Sequence, residues 1–144
     1  MKRFEFPLAR VRDFRKQQLE SEEVKLQTLL AERKELNSES ERLLNEAAET
    51  RLSLMVIGSA ESQDLAAMDA YLRHLGNVKK RHALKLVEWQ GRAEKQEQAV
   101  VEARRRLRLM EKLEERRYNE WKHALDREQE SLSSELYLAR WKRD

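Results

Sequence analysis

The stretch Val56-Ile57-Gly58-Ser59-Ala60-Glu61 separates two long heptad patterns and decides the fold. Gly58 can adopt the left-handed conformation that ends many helices, and Ser59 can cap the next helix, with Glu61 favourably placed in its first turn. A turn this short between two amphipathic helices means that the helices fold back on each other. The stretch therefore predicts a helical hairpin.

The first pattern lies between Leu8 and Ile57. Its apolar residues recur at alternating three- and four-residue steps with gaps at polar positions, which is the a and d spacing of a coiled coil: Leu19, Leu26, Leu29, Leu36, Leu43, Ala47, Leu54 and Ile57. Pro7 stands where a helix tolerates proline, because N–H groups of the first turn have no partner inside the helix. We predict helix 1 over about residues 7–57 and a turn over 58–64.

The second pattern is longer. It holds one register from Leu65 to Met110, slips by one residue as at a stutter, and continues to Ala139. Its core positions include Leu75, Trp89, Gln96 and Val100. This predicts helix 2 over about residues 65–141, and a single domain over 1–144. The fold class is all-α, a long two-helix antiparallel coiled-coil hairpin with a longer C-terminal helix. Roughly the last 25 residues overhang helix 1, and we predict that their apolar side chains bend back or contact a partner: Trp121, Leu125 and Trp141.

Composition agrees with this fold. Charged residues make up 40% of the chain and mean hydropathy is -0.93, too polar for a globular core. The absence of cysteine excludes disulfides and thiolate sites. No run approaches the roughly 20 apolar residues of a membrane span, and no signal-peptide pattern opens the chain. We predict a soluble, cytoplasmic protein.

Basic residues concentrate in two segments that the hairpin brings side by side. Residues 1–16 hold six basic and two acidic side chains, residues 104–117 hold seven and three, and residues 17–50 hold four and nine. This basic end is a solvated helix face, a site for an acidic protein surface, or, with less support, a nucleic-acid site, since it lacks stacking aromatics. Its candidate binding residues are Arg10, Arg12, Arg15, Arg104, Arg105, Arg106, Arg108, Lys112, Arg116 and Arg117.

A second candidate surface lies near the turn. Tyr71, Leu75, Val78 and His82 follow at steps of four, three and four, beside the core line through Met68 and Leu72 that also includes Leu75. The apolar stripe is therefore wider than a two-helix seam requires. It indicates either extra packing, against helix 1 or another copy, or a docking face for another protein.

Catalytic and metal readings find little support. Glu120-x-x-His123 has the spacing of a di-iron motif, but that site needs a second such pair, and His74 and His82 follow Tyr71 and Lys79 at this spacing. The sequence has no glycine-rich phosphate loop, and a hairpin without a pocket cannot converge a catalytic triad. We predict no enzyme activity, no cofactor and no metal.

Five blocks of sequence, in order along the chain, resemble the family of the flagellar export protein FliJ. The last of them is close to the family pattern E-K-L-x-E-R-R. The blocks are Arg3-Phe4-Glu5-Phe6-Pro7-Leu8, followed by Arg15 and Gln17; Gly58-Ser59-Ala60-Glu61; Tyr71-Leu72; His82-Ala83-Leu84-Lys85-Leu86-Val87-Glu88-Trp89; and Met110-Glu111-Lys112-Leu113-Glu114-Glu115-Arg116-Arg117.

The resemblance implies a coiled-coil stalk of the flagellar type III export apparatus. Its joined termini would insert into the hexameric export ATPase and promote ring assembly, and it would engage the cytosolic domain of the export-gate membrane protein and handle export chaperones. The gate contact would use Tyr71, Leu75, Val78 and His82, with a first-arm half at Leu36, Ser40, Leu43 and Ala47. The protein would sit in the cytoplasm, peripheral to the inner membrane at the flagellar base, with no nucleic-acid partner.

Two other interpretations remain open at this level. One is the stalk or adaptor of a virulence-type secretion system, and the other is a generic coiled-coil rod that binds proteins. The genes that neighbour this one on the chromosome would discriminate between them.

Overall fold

The chain folds into two helices that pack against each other. A computed structural model describes residues 2–56 and 62–143, apart from the side chains of residues 54, 56, 62 and 63. Over these residues it contains α1 (Ala9–Val56), α2 (Ser62–Trp141) and no strand. The predicted all-α fold class is confirmed. The predicted turn and cap at Gly58, Ser59 and Glu61 lie outside the described residues, as do Ile57 and the side chain of Leu54.

The described helix ends follow local chemistry. Pro7 lies in the turn before α1, where the N–H of Ala9 donates to the carbonyl of Phe6 at 3.1 Å and that of Arg12 to Leu8 at 2.9 Å. Proline fits there because it has no N–H to satisfy. In α2, Asp64 lies in the first turn and Arg140 in the last. Both charges complement the helix dipole at their ends.

Residues 22–100 form one compact unit, here called the seam unit. Its antiparallel helices bury a narrow line of side chains at heptad-related spacings, and each buried position faces the other helix. Leu43, Ala47 and Leu75 form a cluster, with Tyr71, Leu72 and Val78 packed against it. The buried residues of this unit are Leu36, Leu43, Ala47, Leu75, His82, Ala93 and Val100.

Residues 2–21 and 101–143 belong to a second compact unit, here called the terminal unit. Within it, Arg12 of α1 forms an ion pair with Glu114 of α2, and Phe4 contacts Tyr118 and Trp121. Ala103 is the buried residue of this unit among those described. From residue 126 to residue 143 every side chain is exposed.

The structure corrects one expectation about this end of the chain. Trp121 was predicted to lie in the unpaired overhang, but it is half-buried and its indole N–H donates to the carbonyl of Lys2 at 3.1 Å. The residues before α1 are not helical, but they still contact α2. The heptad pattern predicted only contacts between helices, so it did not predict this one. Leu125 is also half-buried, whereas Trp141 is 76% exposed.

Candidate binding surfaces

The predicted docking stripe near the turn is largely covered by α1. Leu75 is 4% exposed and His82 7%, while Tyr71 and Val78 are half-buried. Leu43 and Ala47 of α1 form a buried cluster with Leu75, and Tyr71 and Val78 pack against this cluster. Of the two interpretations of the stripe, packing against helix 1 therefore agrees with the structure as it stands.

Polar contacts at this stripe distinguish its members. The Tyr71 hydroxyl donates to the Glu46 carboxylate, and this bond, then burial and the charge of Glu46, raises the pKa of Tyr71. The two ring nitrogens of His82 have no hydrogen-bond partner in the part of the chain that the structure describes. A carboxylate oxygen of Glu39 lies 3.9 Å from Nδ1, beyond hydrogen-bond range. His82 is thus a buried polar group that the seam leaves unsatisfied.

Farther along the seam unit from this stripe, two side chains of α2 donate hydrogen bonds across the seam to α1. Trp89 Nε1 donates to the carbonyl of Leu29 at 2.7 Å, with the guanidinium of Arg33 5.0 Å above its ring. Gln96 Nε2 donates to the backbone carbonyl of Glu22 at 2.9 Å and to its carboxylate at 2.5 Å. Trp89 and Gln96 lie at core positions of the heptad pattern, so these bonds satisfy polar atoms that the seam would otherwise bury.

Hydrogen bonds favour the charged form of two carboxylates of this unit. Arg92 donates two hydrogen bonds to Glu32, at 2.6 and 3.2 Å. These bonds, and then the charge of Arg92, lower the pKa of Glu32. The same bonds, and then the charge of Glu32, raise the pKa of Arg92. The hydrogen bond from Gln96, and then that from Lys25, lowers the pKa of Glu22.

The predicted basic end lies within the terminal unit, and its members differ in their partners. Arg12 pairs with Glu114 and Asp13, and its hydrogen bonds to them raise its pKa. Arg106 pairs with Glu102 at 3.3 Å and Arg116 with Glu120 at 3.4 Å. Arg15 donates to Gln18 at 2.9 Å and lies over the ring of Phe14.

The remaining cations of the basic end are exposed. Arg104 has an interaction within the chain, and Arg117 lines an open groove of about 430 Å³ together with Phe4, Pro7 and Trp121. Five members have no ion pair or hydrogen bond with any described residue, namely Arg10, Arg105, Arg108, Lys112 and Arg117.

The aromatic contact of the terminal unit was missed from the sequence. The rings of Phe4 and Tyr118 meet edge to face at 5.4 Å, and Trp121 lies 5.9 Å from Phe4 and 5.8 Å from Tyr118. A signal for it was present, because pairing the two arms of the hairpin about a turn near residue 61 places Phe4 opposite Tyr118. Because the segment before Pro7 has no heptad pattern, periodicity predicted no contact for Phe4.

The described residues contain no group of three or more His, Asp or Glu side chains arranged to hold a metal ion. Over the same residues, neither helix has an apolar stretch long enough to cross a membrane. The features that stand out are therefore the helix seam, the cationic end and the exposed C-terminal side chains. They define a two-helix coiled-coil protein whose candidate sites are surfaces.

Comparison with known proteins identifies the family. The family model described as flagellar FliJ protein matches residues 4–143, nearly the whole chain. The chain belongs to this family, as the sequence motifs predicted, and is a structural component of the flagellar export apparatus. No curated protein and no solved structure matches it significantly.

Proposed function

We propose that the protein is a non-enzymatic stalk that inserts its basic end into the hexameric export ATPase, promotes assembly of that ring and couples it to the export gate. The observation that carries this proposal is the set of exposed cations within the terminal unit, on α1 and α2 together. An acidic protein surface is the partner that such a set attracts, and long-range attraction speeds encounter. The protein would act in the cytoplasm, reaching the inner membrane at the flagellar base only through its partners.

The test is to mix the purified protein with its cognate export ATPase. Hexamer formation and ATP turnover should both rise with the concentration of the protein. The variant R10Q/R105Q/R108Q removes three exposed cations of the basic end and should reduce both responses. The matched control K34Q/R73Q/K95Q removes the same charge from exposed positions of the seam unit and should leave both responses unchanged. If neither hexamer formation nor turnover responds to the wild-type protein, the stalk proposal is wrong.

The export-gate contact is a further part of the proposal, and the family resemblance supports it. In the closed pair of helices Leu75 and His82 face α1, so the part of the predicted face that a partner can reach is the half-buried Tyr71 and Val78. We expect Y71A and V78A to weaken gate binding with helicity unchanged by far-UV circular dichroism. Unchanged gate binding in both variants would remove this contact from the proposal.

Chaperone handling fits the C-terminal end of α2. Its apolar side chains between residues 132 and 141 are exposed in the part of the chain that the structure describes, and Trp141 is the largest of them. Of the three residues predicted to contact a partner there, Trp141 is the most accessible, whereas Trp121 and Leu125 are half-buried. W141A should therefore reduce chaperone binding more than L125A does, as measured by titration calorimetry.

A further inference from the structure

Five exposed residues of α2 lie along one face of the helix that points to solvent: Val101, Arg105, Arg108, Leu109 and Lys112. Their steps of four, three, one and three residues keep them within about a third of the helix circumference. Val101 is 62% exposed and Leu109 57%, although both are apolar. We call this set the α2 cationic strip.

Charge pairing distinguishes the cations of the strip from two neighbouring arginines of the basic end. Arg105, Arg108 and Lys112 have no ion pair with any described residue, whereas Arg106 and Arg116, on the same segment of α2, pair with carboxylates four residues away. The acids one helical turn from these cations are Glu102, Glu111 and Glu115. Glu102 pairs with Arg106, and neither Glu111 nor Glu115 forms an ion pair with a residue of the strip. The strip therefore carries three positive charges and no negative one.

A free cation and a paired cation act differently toward a partner. The field of a paired guanidinium is largely cancelled by its carboxylate, and a new contact must first break the existing one. The electrostatic field of an unpaired cation is not cancelled by an ion-paired carboxylate, so this cation attracts an acidic partner more strongly. The two exposed apolar side chains between the cations add area that gains free energy when a partner removes it from water.

We propose that the α2 cationic strip is the part of the basic end that contacts the partner, and that the surface it fits is an acidic protein surface with an apolar patch between its carboxylates. The identity of this partner as the export ATPase rests on the proposed function. An anionic membrane would also attract the cations, but Val101 and Leu109 offer little area for insertion and no aromatic anchor. The mixture of charge and small apolar area fits a protein better.

The decisive comparison is between two charge-matched double variants in the same segment. R105Q/R108Q removes two unpaired arginines, and R106Q/R116Q removes two paired ones. Binding to the purified export ATPase should weaken about tenfold or more in the first and less than about threefold in the second. The difference should shrink as salt rises from about 0.05 M to 0.5 M, because exposed charges are then screened. Far-UV circular dichroism should show the same helicity in both.

A third variant, V101S/L109S, isolates the apolar part of the strip. Its ATPase affinity should fall severalfold by an amount that salt does not change. Equal losses in the two arginine variants, with wild-type binding intact, overturn the strip proposal and leave the stalk proposal standing. Absence of wild-type binding overturns both. If R105Q/R108Q loses adsorption to phosphatidylglycerol vesicles but keeps its ATPase affinity, the strip is a lipid surface and the proposal is wrong.

Discussion

The seam unit and the terminal unit use the same two helices differently. Of the eight buried residues in the described part of the chain, seven lie in the seam unit and only Ala103 lies in the terminal unit. The terminal unit instead has three aromatic rings in contact and a set of exposed cations. The buried heptad positions of the seam unit therefore contribute most to the stability of the fold. The terminal unit buries fewer side chains and has charged side chains at its surface.

Truncation at the seam should have the largest effect on stability. Leu75 packs against Leu43 and Ala47, and L75A leaves a cavity that two helices cannot easily close. We expect a loss of about 2 to 3 kcal/mol in the free energy of unfolding, measured by urea denaturation. The control L84A changes an exposed leucine on the same helix and should cost well under 1 kcal/mol. Equal losses would mean that the seam is not where stability is concentrated.

The outcome at the seam also shows what could be read from the sequence. Heptad spacing predicted that Leu36, Leu43, Ala47, Leu75 and Val100 face the partner helix, and all five are buried. Periodicity is informative here because a side chain's position around a helix depends only on its spacing. The extra width of the stripe near Tyr71 was ambiguous, because spacing shows which face is apolar but not how closely the other helix approaches it.

The candidate sites were less predictable for a related reason. The excess of basic residues in two segments predicted the basic end, but it did not distinguish among its ten cations. Which of them are neutralised depends on the partners that each rotamer reaches: Arg106 meets Glu102, whereas Arg105 meets no described carboxylate. The contact of Phe4 with Trp121 depends on a non-helical segment, for which no periodic signal exists.

A substitution at His82 tests whether this buried polar side chain destabilises the seam unit. Both ring nitrogens are buried without a hydrogen bond to a described residue, which costs free energy. H82L, of similar volume, should raise the free energy of unfolding by about 1 kcal/mol. The exposed His74 provides the control H74L, expected to change little. A destabilised H82L would show that the ring is hydrogen-bonded in solution.

The aromatic contact of the terminal unit should be worth less than the leucine seam. Phe4 precedes α1 and is held by Tyr118 and Trp121, so F4A should cost about 1 kcal/mol. It should also shift tryptophan emission to longer wavelength, because Trp121 gains contact with water. F14A, which changes an exposed phenylalanine of the same unit, should do neither. A loss as large as that of L75A would erase the contrast between the units.

The smallest expected effect concerns the ion pair between Glu32 and Arg92. The hydrogen bonds from Arg92 lower the pKa of Glu32 from its ordinary value of 4.5. Because the pKa is lower in the folded than in the unfolded chain, the pair stabilises the fold above about pH 4.5, and this contribution is lost as pH falls through the folded value. E32Q should therefore melt slightly below wild type at pH 7, and the difference should shrink as pH falls below 4.5. The control E41Q, at an exposed carboxylate, should follow wild type over the whole range. A difference between E32Q and wild type that stays constant as pH falls would mean that Glu32 supports the seam by packing and not by charge.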